Sequence, residues 1–113
     1  MRFTVCETPS YLDDSASIFK ETERIGVVDY LSLFPRSGDI MVGTGGVRKL
    51  RWAVEGRGKS GGARIIYYFH SARLPVYLLA VFGKNEKANL TKSERNELAK
   101  LTKALSQSEP KGK

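Results

Sequence analysis

Two stretches in the middle of this chain alternate between apolar and polar positions. In VRKLRWAV (47–54), Leu50, Trp52 and Val54 share one side of an extended strand, while Lys49, Arg51 and Ala53 share the other. In ARIIYYFH (63–70), Ile65, Tyr67 and Phe69 form an unbroken apolar side, with Arg64, Ile66, Tyr68 and His70 opposite. A third extended run covers about 75–82. Arg57 and Lys59 fall in the first connecting turn, and Ser71 to Leu74 form the second.

The flanks carry helical spacing instead. Ser10 opens a helix with Asp13 in capping-box register and with Leu12, Ala16 and Phe19 on one face. A second helix is expected over about 24–34, where Ile25, Val28 and Leu31 recur every three residues and Pro35 ends the run. RSGDIMVGTGG (36–46) reads as a turn-rich loop. Thr91 and Glu94 form another capping box before a helix whose Leu98, Leu101 and Leu105 make one stripe. With a short strand at 2–6, the expected order is β-α-α-β-β-β-α, an α+β fold. The chain has the size of one domain, expected over 1–106, with 107–113 a frayed tail.

Charge sharpens this picture because it is unevenly placed. Residues 1–40 hold four cations and seven anions, whereas 41–113 hold fifteen and five, so a mildly acidic start precedes a strongly basic remainder. From Arg48 to Arg73 seven cations face one carboxylate, Glu55. If the strands pair with their apolar sides together, Lys49, Arg51 and Arg64 converge on one open surface, and like charges on adjacent strands repel unless an anion joins them. Such a surface suits a polyanion. An anionic membrane is the poorer match, since the chain has no basic amphipathic helix and no polybasic run beside an apolar anchor. The longest apolar run, Val76 to Phe82, is far below the roughly 20 residues a spanning helix needs. A single cysteine, Cys6, and an N-terminus without an apolar signal segment point to the cytoplasm. Cys6 reads as a structural thiol.

Two nucleotide motifs are excluded by context. GRGKSG (56–61) satisfies GxGxxG, yet a strand follows it where a dinucleotide site needs a helix. GKS (58–60) lacks the earlier glycine of a phosphate-binding loop, because position 53 is alanine. With one His, one Cys and no paired acids in the basic half, no metal or other cofactor is expected.

The runs GTGGVRKLRW, GKSGGARIIYYF and LPVYLLAVFGKNEKANLT, followed by a capped helix, resemble the RelE/HigB family of bacterial toxins from type II toxin–antitoxin modules. The resemblance covers about residues 36–105. It implies two N-terminal helices packed on a small curved antiparallel sheet with a C-terminal helix. It also implies cleavage of mRNA at the ribosomal A site and a neutralising antitoxin, expected to be HigA-like. Carried over residue by residue, it makes Lys49, Arg51 and Arg64 catalytic. In GKNE (83–86), Asn85 stands where the family often has a catalytic arginine, so that charge falls to Lys84 or Lys87. Arg48, Arg57, Lys59, Tyr68, Asn85 and Lys87 are then expected to bind RNA, Tyr68 by stacking.

The chemistry agrees with this assignment. RNA carries its own nucleophile, so a protein need only move protons and stabilise a pentavalent phosphorane. Arg51 and Arg64 suit the phosphorane oxygens through forked hydrogen bonding, and Lys49 suits proton transfer. Two alternatives stay open: a ParE-like poison of DNA gyrase, and a non-catalytic RNA-binding module of the same fold.

Overall fold

A computed structural model describes residues 1–54, 62–83 and 90–110. Eight elements follow one another: β1 (Val5–Glu7), α1 (Pro9–Ser15), α2 (Glu21–Leu33), β2 (Asp39–Ile40), β3 (Val47–Trp52), β4 (Ala63–Tyr68), β5 (Val76–Gly83) and α3 (Lys92–Gln107). The five strands form one sheet in the order β1-β5-β4-β3-β2. Its pairs are antiparallel except β1 with β5, so the sheet is mixed where an antiparallel one was expected.

Alternation in β3 and β4 gives the sheet two apolar faces. One receives α1 and α2, burying Tyr11, Val27 and Leu31 against Ile65, Tyr67, Val76 and Leu78. The other receives α3, whose Leu98 and Leu105 pack on Met41, Val47, Ile66, Tyr68 and Leu79. Three layers result. A bulge between Ile66 and Tyr67 in the β4–β5 ladder breaks the period of two, and Leu79, the residue left over in β5, joins the α3 side.

Several local expectations change. Thr8, not Ser10, caps α1: its Oγ1 accepts from the Tyr11 N–H at 3.3 Å and donates to the Leu78 carbonyl at 2.7 Å. Pro9 occupies the first helical position, where a missing N–H costs nothing. The helix start is thereby stitched to β5. In α2, Val27 and Leu31 face the core while Ile25 is 55% exposed, so the buried stripe runs at i, i+4 rather than through every third residue. The 36–46 stretch contains β2, paired as Asp39 to Lys49 and Ile40 to Arg48.

α3 follows its capping box as expected, Thr91 Oγ1 accepting from the Glu94 N–H at 3.1 Å and Glu94 Oε1 from the Thr91 N–H at 2.8 Å. Its placement depends on the 41–46 loop. Buried Thr44 accepts from the Val47 N–H and donates to the Met41 carbonyl, while its own carbonyl accepts from Thr102 Oγ1 at 3.0 Å. Arg95 adds a bond to the Val42 carbonyl at 2.5 Å. Just beyond the helix Glu109 and Pro110 are bonded to residues 70–73, while 111–113 of the expected tail lie outside the described residues. Glu109 accepts from Ser71 Oγ at 2.5 Å and lies 3.2 Å from His70 Nε2, and the Pro110 carbonyl accepts from Arg73 at 3.0 Å.

Gly45 has φ +76°, and a Cβ there would run into Thr102 Oγ1. Gly45→Ala is therefore expected to destabilise the fold by about 1–3 kcal/mol, through backbone strain and loss of the Thr102 contact. Urea unfolding followed by circular dichroism reads this directly, and an unchanged midpoint would remove the loop from its place as the seat of α3.

Candidate functional site

Lys49, Arg51 and Arg64 lie on the α3 side of the sheet, as alternation requires. Arg51 and Arg64 stand directly opposite in the β3–β4 ladder, and Lys49 is one row away, opposite Ile66. The Met41 N–H donates to the Val47 carbonyl at 2.8 Å and the Val47 N–H to Thr44 at 3.0 Å, so Val47, Lys49 and Arg51 direct their backbone groups toward β2. Arg51 and Arg64 thus form a non-hydrogen-bonded pair, the kind whose Cα atoms approach to about 4.5 Å and whose side chains run closest. Arg51 is exposed; Lys49 and Arg64 are half-buried.

Among the described residues, none of the three cations has a carboxylate within ion-pair distance. Arg64 donates a long hydrogen bond, 3.4 Å, to the neighbouring Ala63 carbonyl. The contrast with the other cations is informative. Arg2 pairs with Asp29 at 2.6 Å and Arg24 with Glu7 at 2.7 Å, both on the helical side.

Two expected contributors are placed elsewhere. Arg48 belongs to the opposite face, opposite Tyr67, and its Nη1 donates to the Gly38 and Arg36 carbonyls at 2.7 and 3.1 Å. It fastens the loop after α2 instead of joining the cluster. Tyr68 shares the correct face but is 4% exposed beneath α3. Its hydroxyl lies 3.2 Å from His70 Nδ1, and burial pushes its pKa up. A ring so covered offers no stacking surface to a base. The face itself is not open throughout, since α3 packs over the Val47–Tyr68 end, whereas Arg51 at the other end is exposed. Arg57, Lys59, Lys84, Asn85 and Lys87 lie outside the described residues.

One neighbour escaped the sequence reading. Phe82 pairs with Arg64 on its other side, so a single row crosses the sheet as Arg51, Arg64, Phe82. Phe82 is half-buried and supplies an apolar border to the cations. Period-two counting through β5 fails at the bulge, which is why the alignment was not visible in advance.

A family model described as RelE toxin of RelE / RelB toxin-antitoxin system matches residues 37–111, from β2 through α3 and including Lys49, Arg51 and Arg64. The chain belongs to the RelE toxin family. It is accordingly a toxin of a type II toxin–antitoxin system, with a cognate RelB-type antitoxin implied by the family. Among the described residues no helix is long and apolar enough to cross a membrane, and no group of three His, Cys, Asp or Glu side chains is placed to hold a metal ion.

Directly opposed like charges cost about 0.2–1 kcal/mol. Arg51→Ala should therefore leave the thermal midpoint unchanged or raise it by about 1–6 °C, by the usual scaling for a domain of this size. Differential scanning fluorimetry checks this; a fall of several degrees would mean that the pair stabilises the sheet and is not held there at a cost.

Proposed function

We propose that this RelE-family toxin is an mRNA endonuclease that cuts messages held on the ribosome, without a metal ion, in the cytoplasm, and that its antitoxin silences this cleavage. The observation supporting the reading is the direct opposition of Arg51 and Arg64, with Lys49 one row away. Three cations with no carboxylate partner among the described residues favour a group bearing negative charge at several oxygens, and a phosphodiester passing through a phosphorane is such a group.

In the proposed reaction the ribose 2′-oxygen attacks the adjacent phosphorus while its proton passes to a base. The P–O5′ bond then breaks and the leaving oxygen takes up a proton, giving a 2′,3′-cyclic phosphate and a 5′-hydroxyl. Arg51 and Arg64 hold the non-bridging oxygens in forked geometry, which guanidinium does better than ammonium. Lys49 is the proposed proton-transfer group, with Lys84 as a further candidate. General acid–base catalysis of this kind supplies typically about 10²–10⁴-fold, so a substrate already positioned by the ribosome is needed for fast cleavage. The exposed position of Arg51 near the end of β3 fits a substrate that arrives on a large surface, not one that enters a closed pocket.

Expression of the chain in bacteria, with primer extension across translated and untranslated messages, tests this directly. Cuts confined to translated codons are expected. Arg64→Ala should reduce them by roughly 10²–10³-fold, the usual loss for one oxyanion-stabilising donor, while circular dichroism shows a folded protein. Arg64→Lys should recover only part of the activity, because a point charge does not replace a fork. Growth arrest with intact messages would instead indicate a protein target such as gyrase, and full cleavage by Arg64→Ala would displace the active site.

A further inference from the structure

The cations of the proposed reaction all donate and none accepts. A charged lysine or arginine side chain carries N–H donors only. Lys49, Arg51 and Arg64 can therefore hold a phosphorane and protonate a leaving oxygen, but the proton of the 2′-hydroxyl needs an acceptor. The sheet places a carboxylate beside them.

β2 is the outer strand at this end of the sheet, and Asp39 stands directly opposite Lys49. Opposed residues share a face of the sheet. Met41, two residues further on, is buried with Val47 in the cluster beneath α3, which puts Asp39 on the same side as Lys49, Arg51 and Arg64. Directly opposed side chains start about 4.5–5.5 Å apart at Cβ, and Arg51 is a diagonal neighbour at about 7–8 Å. Asp39 is exposed, and among the described residues no ion pair closes it on Lys49 or on another cation. Other carboxylates on this side are placed differently. Asp14, Glu94 and Glu97 line a groove of about 1100 Å³ between α3 and β5, together with Phe82 but with none of Lys49, Arg51 and Arg64.

We infer that Asp39 is the proton acceptor of the cleavage step, an assignment that rests on the endonuclease reading. Its carboxylate takes the 2′-hydroxyl proton as the 2′-oxygen bonds to phosphorus, and the Lys49 ammonium gives a proton to the 5′-oxygen as the P–O5′ bond breaks. Asp39 leaves the step protonated and Lys49 deprotonated. Exchange of one proton through solvent restores both. The long stem of lysine and the short one of aspartate end the two groups at different distances from the strands, which lets them reach the two apical oxygens of one phosphorane.

A purely structural Asp39 would be a cross-strand charge partner of Lys49 and nothing more. Ribosomes carrying a synthetic message, cut in a single turnover, separate the two roles. Asp39→Asn is expected to slow cleavage by about 10²–10⁴-fold, the range of general acid–base catalysis, with an unchanged circular dichroism spectrum. Added formate should raise the Asp39→Ala rate about tenfold, by standing in for the lost carboxylate, and leave the wild-type rate as it is. Sulfur in place of the bridging 5′-oxygen at the cut gives a thiolate that leaves without a proton. That message should rescue Lys49→Ala and not Asp39→Asn. A wild-type rate in Asp39→Asn, an Asp39→Ala rate that formate does not raise, or sulfur rescue of Asp39→Asn would each overturn the assignment and leave the endonuclease reading standing. If the wild-type chain cuts no message on the ribosome, both fall together.

Discussion

The register of β3 on β4 is the constraint on which the rest depends. It places Arg51 opposite Arg64, and a slip of one residue would send Lys49 and Arg51 beneath α1 and α2 and bring Leu50 and Trp52 out. The apolar rows resist that slip. Ile65, Ile66 and Tyr67 are essentially fully buried, and each such side chain contributes about 1.5–3 kcal/mol on burial. The opposed arginines cost less than one of these. Tyr67 adds a directional lock, its hydroxyl donating to the Pro35 carbonyl and accepting from the Gly38 N–H, both at 2.8 Å. The core therefore holds a charge pair that its own electrostatics disfavour.

α3 turns that register into a site. Leu98 and Leu105 pack over the Val47–Tyr68 end of the sheet, and the position of α3 is fixed by bonds to loops: Thr102 to Thr44, Arg95 to Val42, and Glu109 to Ser71. The 41–46 loop accommodates this with positive φ at Gly43, Gly45 and Gly46. Those glycines lie in the same stretch of sequence as the cations. Gly45 among them lies directly against Thr102 of α3.

Much of this was legible in the chain because alternation in 47–54 and 63–70 is a local property that states which side chains share a face. Lys49, Arg51 and Arg64 followed from it, as did the burial of Tyr67, and the capping box at Thr91 announced α3 to the residue. Alternation does not state what lies over a face, so Tyr68 passed for a stacking platform when it is the floor beneath α3. Nor does it separate a cation that faces outward from one that spans to a carbonyl, as Arg48 does to Gly38. The i, i+3 spacing of Ile25, Val28 and Leu31 was equally compatible with two rotations of α2, and tertiary packing selected the one that buries Val27. The parallel β1–β5 pairing and the docking of Glu109 join residues about 70 and 38 positions apart. No periodicity encodes such contacts.

Phe82 is where the two surface chemistries of this toxin meet. On one side Arg64 and Arg51 continue its row across β4 and β3; on the other the apolar floor runs under α3 toward Asp14 and Glu97. The separation has an electrostatic reason. On the proposed reading, carboxylates beside the arginines would compete with the phosphate for them. A protein of this size thus presents a row of cations and an apolar groove with carboxylates side by side, with one half-buried aromatic ring as the border.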